Sequence, residues 1–134
     1  MENCVFCKIV KGDIPCFKIY EDEYTLAFLD ISNDLEGHTL VISKSHHMNI
    51  LDMDDISLMH LMSTVSKVSN HYVKECGFDG VNIISNANEA AEQAVMHVHI
   101  HILPRKNNDN IHVFPSINQP ANNLEVVHNK LKMK

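Results

Sequence analysis

The sequence predicts an α+β fold, a five-stranded antiparallel sheet with one long helix and shorter flanking helices. Three observations predict it. Short apolar and β-branched runs are joined by short polar connections, as antiparallel strands are. One long stretch repeats its apolar residues at three- and four-residue steps. Helical and strand patterns do not alternate regularly, which argues against a βαβ arrangement.

The elements follow in order. Residues 1–16 hold a short apolar patch (Val5, Phe6, Ile9, Val10) and the turn signal Gly12-Asp13-Ile14-Pro15. Phe17 to Tyr20 and Thr25 to Leu29 read as strands joined by a hairpin turn at Glu21-Asp22-Glu23. Asn33 to Gly37 is a polar connection, and Thr39 to Ile42 is a third strand. Asp54 or Asp55 caps a long helix to about Lys74, with Leu58, Leu61, Met62, Val65, Val68 and Val73 as its apolar stripe. Gly77 stops it. Val81 to Ile84 is a fourth strand, and Asn86 to Gln93 is a polar loop. Val95 to Leu103 is the fifth strand, ended by Pro104. Residues 106–123 read as loop, and Leu124 to Lys132 as a closing helix.

The bulk properties bound the function. The 134 residues fit one domain. A net charge of −6 argues against a protein that binds nucleic acid through a basic face. It leaves a nucleotide substrate open, because a pocket needs only a few local donors. No apolar run approaches membrane length, and no hydrophobic segment precedes Cys4. The expected location is therefore the reducing cytoplasm, with no membrane partner.

Function is concentrated in His97-Val98-His99-Ile100-His101-Ile102-Leu103. Alternate residues of a strand face opposite sides. Val98, Ile100 and Ile102 anchor one face, so His97, His99 and His101 share the other on a rigid element. Successive imidazoles stand about 6.6 Å apart, too far for three to meet easily on one ion. An imidazole near neutral pH attacks phosphorus, holds a phosphate oxygen or passes a proton. The competing reading is a solvent-facing strand with incidental histidines.

These residues resemble the signature of the histidine triad family of nucleotide hydrolases and transferases. Further segments resemble the family in order: Val5 to Ile9, Ile14-Pro15, Tyr20 to Asp22, Ala27 to Ile31, Gly37 to Ile42 and Asn86 to Gln93. The likeness covers residues 4–105 and leaves 106–134 as a C-terminal extension of a single domain. It looks most like the small zinc-containing microbial branch.

The resemblance implies a nucleotide hydrolase cleaving at the α-phosphate of a nucleoside phosphoramidate or dinucleoside polyphosphate. It implies His99 as nucleophile, His101 as donor to a phosphate oxygen and His38 as the residue tuning their protonation. Gln93 and Asn86 would position phosphate and leaving group, and Asp30 would accept from the ribose hydroxyls. Phe6, Ile9, Ile14, Phe28, Leu29 and Ile31, with Val5, would form the slot for a purine base, adenine first. A homodimer is also implied. Phe28 and Ile31 read equally well as core, and Asp30 as a turn-forming residue. A scaffold with little turnover and a nucleotidyl transferase are the rival functions, the latter with little room for a second substrate domain.

Cys4-x-x-Cys7 alone fits redox, metal or chance. The resemblance adds His46 and His97 as partners, completing a structural zinc site of closed type, with His47 as the alternative to His46. Cys16 and Cys76 read as packing. Two positions depart from the family pattern: Glu92 stands where glycine is common, and Ala94 where serine or threonine is common. Glu92 places a negative charge near an anion site, and Ala94 removes a hydroxyl that could relay a proton.

Overall fold

A computed structural model describes residues 3–114, 117 and 123–134. Positions 115–116 and 118–122 of the loop read over 106–123 lie outside the described residues. Among the described residues three α-helices and five strands run in the order α1 (Val5–Lys11), β1 (Lys18–Glu21), β2 (Thr25–Leu29), β3 (Thr39–Ser43), α2 (Asp55–Lys74), β4 (Gly80–Ile84), β5 (His99–Arg105) and α3 (Leu124–Leu131). The sheet is antiparallel throughout, in the order β1-β2-β3-β5-β4. This is the predicted α+β architecture.

The register divides the core into two layers. Ala27, Val41, Ile100 and Ile102 face α2 and pack on Leu61, Val65, Val68 and Tyr72. Leu26, Phe28, Leu40 and Ile42 face the other way and pack on Phe6 of α1. Ile42 pairs with His99 and Leu40 with His101, so the histidines lie on the α1 side. The period-two reading of β5 thus places each residue type as expected.

Four readings need correction. The patch at Val5–Lys11 is a helix, capped by the Cys4 sulfur, which accepts from the Cys7 amide at 3.2 Å. Cysteine is not among the usual capping residues, so the start signal was hidden. The fifth strand begins at His99, not Val95. The Val98 amide instead donates to the His47 carbonyl, tying 95–98 to the segment after β3. Pro104 lies inside β5 rather than ending it. The β3 ladder stops at Thr39–Ile102, so no partner strand there asks Pro104 for an N–H.

The fourth correction concerns α2. Met62 and Val73 are exposed, while Thr64 and Tyr72 are buried. Their hydroxyls are satisfied across the layer: Thr64 meets Thr25 at 2.7 Å, and Tyr72 meets Thr39 at 2.6 Å. A purely apolar stripe overlooks such paired hydroxyls. Gly37 sits before β3 with φ +82, and a Cβ there would stand 2.9 Å from the Pro104 ring. Only glycine meets both demands. Among the described residues no helix is long and apolar enough to cross a membrane.

Candidate functional site

β5 is central in the sheet and its backbone is held on both sides, so its histidines are set by the ladder. His99 is 8% exposed, and its Nδ1 lies 2.7 Å from the His97 carbonyl. A carbonyl only accepts, so Nδ1 carries the proton and Nε2 carries the lone pair. The ring of Phe6 meets His99 edge-on at 5.2 Å and fixes its plane.

His101 sits beside His99, ring centres 5.1 Å apart. Its Nδ1 is 2.9 Å from His38 Nε2, and His38 Nδ1 donates to Asp34 at 2.7 Å. Asp30 Oδ2 stands 3.4 Å from the same His38 Nε2. The result is a chain of titratable groups, Asp34–His38–His101, flanked by a second carboxylate. Sequence reasoning found His38 but not Asp34. The signal was available, four residues earlier in a polar connection beside a histidine.

Burial, then the neighbouring His99 and His38, push His101 down to about 4. The buried ring is therefore neutral at pH 7. The sign follows: the unfolded ring titrates near 6.5, so the unfolded chain takes up a proton first as pH falls. Stability is fully present above about 6.5 and declines toward about 4. Denaturant midpoints should fall over this window, and less steeply in His101→Asn. Equal slopes in the two proteins would contradict the assignment.

A second cluster lies one residue pair along the strand. Cys4, Cys7, His46 and His97 bring one ligand atom each within 4.8 Å of one another. Cys4 Sγ is 3.2 Å from His97 Nδ1, Cys7 Sγ is 3.3 Å from His46 Nδ1, and the two Nδ1 atoms are 3.2 Å apart. A tetrahedral zinc with ordinary Zn–S and Zn–N bonds spaces its ligands by about 3.3–3.8 Å, so the donors fit. His97 is fully buried, and its Nε2 donates to the Ser43 carbonyl at 2.8 Å. That bond leaves Nδ1 as the free lone pair, the outer-shell arrangement metal-binding histidines use. Burial pushes His97 down to about 4, which keeps it neutral. Burial and the adjacent Cys4 push the Cys7 thiol up, against the redox reading of this pair.

The remaining expected site residues divide. Asp30 Oδ1 accepts from the Ser32 amide, the turn-forming role, while Oδ2 faces His38. Phe6 and Phe28 are buried in the α1-side core and touch each other edge-on at 5.7 Å. Both belong to the core, the alternative the sequence left open for Phe28. Ile9, Ile14 and Leu29 are half-buried, Ile9 packing on the same cluster, and Ile31 is 89% exposed. Asn86 is half-buried.

Gln93 departs most from its expected role. Its Oε1 accepts from the Asn88 amide and Asn49 Nδ2, and its Nε2 donates to the Met48 and Val95 carbonyls. All its hydrogen-bonding capacity is used within the protein, so it clasps the loop and has nothing left for a phosphate. Asn49, buried and not singled out in the sequence, is its partner. Glu92 has φ +66, which explains why glycine suits that position. It is exposed, so its charge is directed to water. Cys76 is exposed beside His71 rather than packed.

The HIT domain model matches residues 11–108. The chain belongs to the HIT domain family. A Schizosaccharomyces pombe HIT relative, named adenosine 5'-monophosphoramidase, is 43% identical over 107 residues, 80% of this chain and 77% of its own. A crystal structure from Streptococcus mutans is 42% identical with a TM-score of 0.85, over 97% of this chain and 82% of that one. A zinc-bound histidine triad protein from Mycobacterium smegmatis is 36% identical with a TM-score of 0.79, covering 87% and 85%.

Proposed function

We propose that this HIT protein hydrolyses a nucleoside phosphoramidate or dinucleoside polyphosphate at the α-phosphate, with an adenine nucleotide as the first candidate. The carrying observation is His99, whose Nε2 lone pair is held free by the bond from Nδ1 to the His97 carbonyl. The name of the fission yeast relative supports the substrate class.

His99 Nε2 attacks the α-phosphorus, and the bond to the leaving amine or phosphate breaks, a leaving amine taking its proton from solvent. A nucleotidyl-imidazole results, which water then cleaves to the nucleoside monophosphate. His101 hydrogen-bonds a non-bridging oxygen, while His38, held by Asp34, fixes the other side of its ring. Asp30 accepts from the ribose hydroxyls, and Asn86 faces the leaving group. Ile9, Ile14, Leu29 and Ile31 cover the base over the Phe6–Phe28 floor. Zinc held by Cys4, Cys7, His46 and His97 is structural, because four protein ligands leave no open position. The reducing cytoplasm suits the chain, since it keeps Cys4 and Cys7 available as thiolate ligands.

Incubation with adenosine 5'-phosphoramidate should release AMP over many turnovers. One observation favours a second reading, a nucleotide-binding protein with little turnover. Ala94 lacks a hydroxyl and Gln93 is fully engaged, so neither hands a proton to the leaving group. AMP binding without product over hours would favour that reading.

We also propose a homodimer across α2 and the free edge of β4. Met62 and Val73 of α2 and Ile83 of β4 are exposed there and line one groove with Ser69. Ser69 Oγ is buried there with no partner among the described residues. Sedimentation equilibrium should give two chains per particle, and Ile83→Lys should shift the protein toward monomer. A wild-type monomer at micromolar concentration would exclude this interface.

A further inference from the structure

Besides the cysteine-containing cluster, one other group of possible metal ligands occurs among the described residues: Asp30, His38 and His101. Their ligand atoms lie within 4.8 Å of one another. His38 Nε2 is 2.9 Å from His101 Nδ1 and 3.4 Å from Asp30 Oδ2. Two imidazoles and a carboxylate on one side of an ion are a ligand set for zinc and related divalent metals, and three ligands leave a position open.

We propose that Asp30, His38 and His101 form a second metal site, which takes a divalent transition-metal ion of the zinc class reversibly and excludes the ribose of a bound nucleotide. The exclusion rests on the nucleotide reading above. The site itself does not.

Three features beyond proximity support it. The Asp34 carboxylate accepts from His38 Nδ1 at 2.7 Å, so Nδ1 keeps its proton and Nε2 is left as the lone pair. This carboxylate–histidine arrangement orients imidazoles toward metals. His38 is buried and His101 half-buried, so the rings are preset rather than gathered from solvent. Asp30 commits Oδ1 to the Ser32 amide, which aims Oδ2 at the histidines.

The proton balance is simple. In the empty pair His101 Nδ1 donates to His38 Nε2. Metal binding moves that proton to His101 Nε2, and both facing lone pairs then meet the ion. No net proton is released. Unlike the four-ligand cluster, this site contains no thiolate and keeps an open position, so its ion should exchange readily. An occupied site holds Asp30 Oδ2, the same oxygen a ribose hydroxyl would use.

Cobalt separates the two sites by spectroscopy. Full-length protein carrying one zinc per chain is titrated with Co²⁺, without nucleotide. One further ion per chain should bind, with visible d–d absorption and no near-ultraviolet thiolate-to-cobalt charge transfer. Asp30→Asn should abolish this binding. Asp34→Asn, which touches no ion, should weaken it about 10–100-fold. AMP should raise the apparent cobalt dissociation constant. Affinity weaker than about 1 mM would overturn the site. So would a charge-transfer band alone, or unchanged binding in both variants. Cobalt affinity that is indifferent to saturating AMP would overturn the exclusion. Failure to hydrolyse adenosine phosphoramidate would leave the titration without nucleotide unchanged, so the two readings fail separately.

Discussion

His99→Ala should lower kcat/KM for adenosine phosphoramidate by about 10⁴-fold or more, roughly 5.4 kcal/mol of transition-state stabilisation. The size follows from the role. Without the imidazole no covalent intermediate forms, and only positioning by the remaining groups is left. AMP affinity should change by less than about tenfold, because the proposed base, ribose and phosphate contacts are made by other residues. The ring also packs edge-on against Phe6, so some loss of stability accompanies the change. Equilibrium denaturation distinguishes the two: a folded variant that binds AMP yet turns nothing over is the expected result. A folded variant with near wild-type turnover would remove His99 from the chemistry.

Cys7→Ser should act on stability first. Zinc content should fall from one ion per chain toward none. Folding should weaken by roughly 3 kcal/mol, about 10 °C in Tm for a domain of this size. The reason is topological. The four residues of the proposed site join α1, the segment after β3 and the entry to β5, three places far apart in sequence. Removing one sulfur frees α1, whose cap already depends on the Cys4 sulfur. Well below the new Tm, activity should survive within about tenfold, since the zinc takes no part in bond making. There is one route from the proposed zinc to chemistry. His97 belongs to the four-residue cluster, and its carbonyl also fixes the His99 tautomer. A Cys7→Ser variant that keeps its Tm and its zinc would refute the four-ligand site.

The sheet was legible because its strands carry strong local signals. Thr25–Leu29 and Thr39–Ile42 are continuous apolar or β-branched runs, and the structure buries nearly all of both. The alternation in His99–Ile102 sorts core from site without ambiguity. What stayed hidden was set by contacts distant in sequence. A thiol that caps a helix looks like half of a CxxC. Thr64 and Tyr72 look like surface until Thr25 and Thr39 arrive from other strands. Gln93 looks like a phosphate residue until Asn49 and Asn88 close around its amide. Phe6 and Phe28 look like a slot until both sink into the same cluster. In each case residue type was informative and the partner was not.

The histidine strand carries three separate duties on one face. His97 belongs to the cysteine cluster, His99 bonds through Nδ1 to the His97 carbonyl, and His101 is wired through His38 to Asp34. The ladder that holds all three also makes them interdependent, so single substitutions of His97 or His101 should move more than one property.

The most direct test is to trap the intermediate. Wild-type protein mixed with labelled adenosine phosphoramidate and quenched within a single turnover should carry one adenylyl group, and peptide mapping should place it on His99. Label on another residue, or hydrolysis with no labelled protein at any time point, would contradict nucleophilic attack by His99.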